Sequence, residues 1–257
     1  MLRFVPHQQP TVGASASFWL TSGPQKILPL KPKLACLYIL SFIELSLVKQ
    51  LIVWSVMRKS VPTILETKQL PDFNYLGLDK IIVPVTAGEF AATVSHIESV
   101  KLVGFDTESR PTFEKGQVSD GPHVVQFASE SQAYIFQLCN PESHNPLLFL
   151  LAAEDIKKIG FDLGSDRKLL LKKFGILPRG LVDLRPAFKR QGYRNTVGIR
   201  AAVAIAFNQQ FHKSKHVTMS NWGSPTLTSN QLLYAANDAY AALRVYLQLL
   251  NNPDEKI

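Results

Sequence analysis

The alternation of apolar and polar residues becomes regular only from about Asp72. KIIVPV (80–85) reads as a strand, and TAGEFAATVSHIES (86–99) as a helix opened by a threonine cap, with Phe90, Val94 and Ile97 on its apolar face. KLVGFDTE, HVVQFAS and AYIFQLC follow as three apolar runs separated by turn-rich segments, the pattern of a meander. NPLLFLLAAE then reads as a helix, IKKIGF as a strand, GSDRKLLLKKFGI as a helix capped by Ser165, and LVDL as a short strand. Two further helices are expected, over NTVGIRAAVAIAF and over TSNQLLYAANDAYAALRVYLQLL, the second opened by a capping box of Thr228 and Gln231. Early strands followed by strand–helix alternation predict an α/β sheet domain.

The N-terminal part follows a different pattern. Residues 1–33 contain Pro, Ser and Gln without a sustained period, as a disordered segment does. Residues 34–56, LACLYILSFIELSLVKQLIVWSV, are apolar enough in length to span a membrane, but Glu44, Lys49 and Gln50 interrupt them. Three readings stand: a membrane or interfacial anchor, a packing helix, or sequence upstream of a start at Met57. The expected division is an N-terminal extension over 1–56 and a folded domain over 70–251. The cysteines Cys36 and Cys139 have neither metal-ligand spacing nor a disulfide framework, which fits a reducing, intracellular (cytoplasmic) setting, membrane-anchored only if 34–56 is a true anchor.

The net charge of +8 is unevenly spread. Residues 157–215 hold 14 Lys or Arg against Asp162, Asp166 and Asp183, so one strongly basic stretch accompanies an acidic remainder. A polyanion held beside carboxylate-bound metal ions suits that division.

The acids that stand out lie at element ends. Asp106 and Glu108 in VGFDTES are two apart and share a face of a strand, where like charges repel unless a cation sits between them. Asp166 opens the helix after IKKIGF. Asp162, four residues earlier, is the other candidate there, and the Gly-Ser-Asp placement before the helix favours Asp166. Tyr234 and Asp238 are one turn apart on the last helix, among alanines that leave its surface low. Four acids converging on one sheet edge would hold hard divalent cations, and two such ions suit phosphodiester hydrolysis. Asp183 reads as a helix cap.

VGFDTE, GFDLGSDRKLL and LTSNQLLYAANDAYAALRVY resemble, in order and spacing, the three motifs of the DEDD exonuclease superfamily, in the branch with a tyrosine four residues before the last aspartate. The segment KSKHVTMSNWGSP is similar to the one preceding the last motif in 3′ to 5′ exonuclease domains of the Werner syndrome protein type, with ribonuclease D more distant. The resemblance covers about residues 70–250. It implies a ribonuclease-H-like α/β fold with a central mixed sheet flanked by helices, and a metal-dependent 3′–5′ exonuclease using two Mg²⁺ or Mn²⁺ ions. Asp106, Glu108, Asp166 and Asp238 would bind metal, and Tyr234 would position the attacking water. Arg110, Lys115, Arg167, Lys168, Lys213 and Lys215 are candidate contacts to the backbone of DNA or RNA 3′ ends, with His212 and His216 at most surface or phosphate contacts. Trp222 reads either as a stacking platform for a terminal base or as a packing residue under the last helix. The alternative function is a nucleic-acid-binding module that keeps the fold without turnover.

Overall fold

The computed structural model describes residues 59–112 and 119–251; the expectations for residues 1–58 and for Lys115 lie outside them. Six strands form one mixed sheet: β1 (Ile81–Ile82), β2 (Leu102–Glu108), β3 (Val124–Ala128), β4 (Ala133–Gln137), β5 (Lys157–Gly160) and β6 (Leu181–Asp183). Their spatial order is β1-β4-β3-β2-β5-β6, with β2, β3 and β4 antiparallel and the flanking pairs parallel. Strand β2 is therefore central, and its C-terminal end carries the Asp-Thr-Glu triplet. KIIVPV supplies only the two-residue edge strand β1, because Pro84 cannot donate to a ladder.

Among the described residues eight α-helices accompany the sheet: α1 (Ile64–Thr67), α2 (Ala87–Val100), α3 (His144–Ala152), α4 (Leu163–Phe174), α5 (Arg185–Arg190), α6 (Ile199–Phe207), α7 (Lys215–Thr218) and α8 (Ser229–Asn251). Helix α2 opens with the expected Thr86 cap, in a capping box with Glu89. Helix α4 starts earlier than expected: its N-cap is Asp162, at φ 58°, and Ser165 lies inside the first turn. The expected capping box of α8 is present, Thr228 N donating to Gln231 Oε1 and Gln231 N to Thr228 Oγ1.

The period-two alternation of the strands divides the core into two layers. Val103, Phe105, Val125, Phe127 and Phe136 face the layer containing Phe90, Leu147 and Leu170 of α2, α3 and α4. Val124, Ala128, Ile135 and Ile159 face the other, with Ala235, Ala239, Leu243 and Val245 of α8. The alanines of α8 let its backbone lie close on the sheet, closest at Gly104, where an added Cβ would come within 1.8 Å of Ala239 O. On β5 the fully buried Lys158 donates to the carbonyls of Ala153, Ile156 and Arg179, and burial draws its ammonium down to about 8 against the pull of Asp155.

Residues upstream of the expected boundary at 70 are tied into the same body. Lys59 N donates to Gly192 O, Arg194 N to Lys59 O, and α1 packs on α6. Among the described residues no helix is long and apolar enough to cross a membrane.

Candidate active site

Gly104, Asp106 and Glu108 occupy alternate positions of β2 and therefore face α8. Because the glycine admits the helix, Asp238, one residue before Ala239, reaches the same spot. Carboxylate oxygens of Asp106, Glu108 and Asp238 lie within 4.8 Å of one another. Glu108 and Asp238 are buried, and Asp238 Oδ2 faces the Lys213 ammonium at 2.6 Å. Three converging oxygen ligands with unused lone pairs fit a hard divalent cation such as Mg²⁺ or Mn²⁺.

Asp166 stands beside this trio. Thr107 points to the opposite face of β2 from its neighbours, and its hydroxyl donates to Asp166 Oδ1 from the first turn of α4. The carboxylate is buried and close enough to Asp106 to raise that group further. Asp162 takes no part in the trio: its exposed side chain pairs with Arg185 at 2.6 Å. Asp183 accepts from the backbone N–H of Arg185, the first residue of α5, as a capping group does.

Burial pushes all four acids upward, and repulsion within the group adds to it at Asp106 and Glu108. Asp106 rises well above the usual carboxylate range through burial and then Asp166, and Glu108 is pushed up to about 10 by burial, Asp106 and Asp238. Burial also raises Asp166 and Asp238, the latter against the pull of Lys213. An acid raised in the fold binds more protons there than in the unfolded chain, so the metal-free protein loses stability as pH rises. In EDTA, Glu108→Gln should therefore melt higher than the native chain at pH 7.5, by about 1–2 kcal/mol or a few degrees. The gap should close below about pH 4.5 and widen toward about pH 10. A gap independent of pH in calorimetric scans would show that Glu108 is not repelled there.

Lys213 is expected only as a phosphate contact, yet its Nζ lies 2.6 Å from Asp238 Oδ2 and 5.1 Å from the centre of the Tyr234 ring. Burial would draw its ammonium down, but Asp238 and Asp106 more than offset this and hold it charged. The Tyr234 hydroxyl is 2.8 Å from Thr218 Oγ1, which itself donates to Ser214 O. The same hydroxyl also bonds toward the Asp238 carboxylate, which can only accept from it. Burial and Asp238 raise the Tyr234 hydroxyl, so it stays protonated at neutral pH.

The remaining expected contacts divide. Lys213 and Lys215 line the cleft with Asp106, Asp166 and Asp238. Arg110 instead pairs with Asp120, whose segment is further held by Lys172 and Lys173. Arg167 is exposed on α4, next to Asp166. His212 pairs with Asp72 at 2.8 Å. Trp222 is a correction: only 1% exposed, it packs against Tyr234 at 5.8 Å and donates to Thr218 O, so it supports the tyrosine and offers no face to a base. Sequence reasoning missed Gly104, Thr107 and Thr218; the one available signal was a glycine inside an otherwise apolar strand.

The model of a 3′-5′ exonuclease family, DNA_pol_A_exo1, matches residues 82–253, which contain all five residues of this site. The chain belongs to that 3′-5′ exonuclease family. Among its relatives, the bifunctional 3′-5′ exonuclease/ATP-dependent helicase WRN of Mus musculus is 33% identical over 155 residues, 60% of this chain and 11% of that protein. Exonuclease 3′-5′ domain-containing protein 2 of Homo sapiens is 34% identical over 119 residues, 43% of this chain and 19% of its own length. The chain thus spans less than a fifth of either relative. Among solved structures, Trypanosoma brucei RNase D in complex with RNA U12 superposes with a TM-score of 0.61 at 19% identity, covering 69% of this chain and 64% of that one. The Aedes aegypti Nibbler EXO domain gives 0.59 at 19% identity, with 68% and 90% covered. These likenesses show the fold alone, which is ribonuclease-H-like.

Proposed function

We propose that this chain is a divalent-metal-dependent 3′–5′ exonuclease that hydrolyses the terminal phosphodiester of DNA or RNA and releases nucleoside 5′-monophosphates. The observation that carries the reading is the meeting of Asp106, Glu108 and Asp238 within 4.8 Å, where Asp106 and Asp238 line a cleft shared with Lys213 and Lys215. The same trio, with Asp166 alongside, would hold two ions, which when bound supply charge neutralisation and water activation.

The chain's own groups do the rest. Lys213 and Lys215 attract the phosphodiester and balance the acids around it. Held between Thr218 and Asp238, the Tyr234 oxygen accepts from a water and turns a lone pair of that water toward the phosphorus. The hydroxyl, held protonated, orients the water without removing its proton. Tyr234→Phe should accordingly slow single-turnover hydrolysis about 10–100-fold with Mn²⁺ affinity unchanged. An unaltered rate would remove the tyrosine from the reaction.

The direct test is a time course of the full chain on 5′-labelled single-stranded and recessed DNA and matched RNA, with Mg²⁺ or Mn²⁺ and an EDTA control. A metal-dependent ladder shortening from the 3′ end is expected, and its relative rates rank the substrates. Binding without a ladder under either metal would make the chain a nucleic-acid-binding module with an exonuclease fold.

A further inference from the structure

The cleft that holds the carboxylates is a cavity of about 880 Å³, within the size range of ligand pockets, about 300–1,000 Å³. Its lining is mixed in chemistry: Asp106, Asp166 and Asp238 bring carboxylates, while Pro62 and Ile64 from the α1 segment and Met219 after α7 contribute apolar surface. Ile64 is 57% exposed and Met219 49% exposed, so both leave apolar surface in water where the core could have taken it.

The α1 segment lies upstream of the matched span 82–253, yet it is pinned in place. A capping box between Thr63 and Glu66 closes its single helical turn. Its start is bridged to Tyr193 through the backbone, and the Lys59 ammonium sits 5.4 Å from the centre of the Tyr193 ring. A wall fixed at this end, carrying an exposed isoleucine, is preorganised for a flat apolar partner.

We propose that Ile64, presented by the segment 59–70, is the surface against which the 3′-terminal base of a nucleic-acid strand packs. The inference rests on the exonuclease reading of the same cleft. The occupant follows from charge: Lys213 and Lys215 line this cavity and favour a phosphodiester at the carboxylate end. The base attached to that phosphate then needs apolar cover, and aliphatic side chains supply it without reading base edges, so the contact tolerates any sequence. Met219 contributes to the same apolar lining.

The test compares oligonucleotides that end in an intact or an abasic 3′ nucleotide, bound to the full chain and followed by fluorescence anisotropy in Ca²⁺ with a 3′-terminal phosphorothioate. The native chain should favour the intact end. Ile64→Ser should weaken binding of the intact end about 5–10-fold and change the abasic end by less than about twofold. Met219→Ser should follow the same pattern, and since both side chains are exposed, neither change should lower the melting temperature by more than about 2 °C. Equal weakening of both ends, or none, would overturn the assignment. Hydrolysis does not enter this readout. A chain that binds with the predicted base dependence but never cleaves would defeat the catalytic reading alone, and a cleaving chain indifferent to Ile64 would defeat the wall alone.

Discussion

Asp106→Asn is expected to lower hydrolysis by at least about a thousandfold while leaving single-strand binding within about threefold. Asp106 belongs to the trio, and of its acidic neighbours Asp166 raises it most, so its carboxylate would serve cations held by either. Asparagine keeps the shape and removes the charge. Loss of the cations forfeits several kcal/mol of charge stabilisation in the transition state, and each 1.36 kcal/mol is about tenfold in rate. Binding should survive because Lys213 and Lys215 remain in the cleft. Single-turnover rates in Mg²⁺ beside anisotropy in Ca²⁺ separate the two quantities. Near-native hydrolysis by this variant would end the metal assignment.

Gly104→Ala should damage both fold and activity, although the residue carries no functional group. Its Cβ would meet Ala239 O at 1.8 Å and Ala239 C at 2.5 Å, backbone atoms of α8 that cannot swing aside as a side chain can. Either β2 or α8 must shift, at a cost of about 3 kcal/mol, which for a domain of this size lowers the melting temperature by roughly 6–12 °C. A shift of α8 also carries Asp238 away from Asp106 and Glu108, so kcat/KM in the surviving folded fraction should fall at least about tenfold. Thermal scans and kinetics at a temperature well below the transition distinguish the two effects. A variant that melts within a degree of the native chain and cleaves normally would show that helix and strand are not in the close contact described.

Most helices and strands were legible because their periods differ. The period-two run VGFDTE and the long apolar stripe of TSNQLLYAANDAYAALRVYLQLL each allow one local structure, and the Thr-Gln capping box marks where the second begins. Boundaries were less legible where local signals competed. Ser165 has a capping side chain, but Asp162 adopts the left-handed conformation and starts α4 three residues sooner, paired to Arg185 from another element. The edge strand shrank because Pro84 follows it. Trp222 shows a different limit: an aromatic residue in a polar segment reads equally as a platform or as packing, and only its 1% exposure decides.

The sequence by itself determined which residue types stand at the ends of β2, α4 and α8, since spacing along a strand or helix decides which side chains share a face. It also determined the charge division between a basic stretch and an acidic remainder, because that is a property of composition. What only the tertiary structure decided is distance across elements. Asp106 and Asp238 are far apart in the chain, and they meet because a glycine admits a helix backbone onto the strand between them. Lys213, in the segment before α7, lines the cleft and reaches Asp238, and Ile64 lines the same cleft on a segment bridged at Lys59 to Tyr193. None of these contacts has a local sequence period, for each depends on how two separately legible elements pack together.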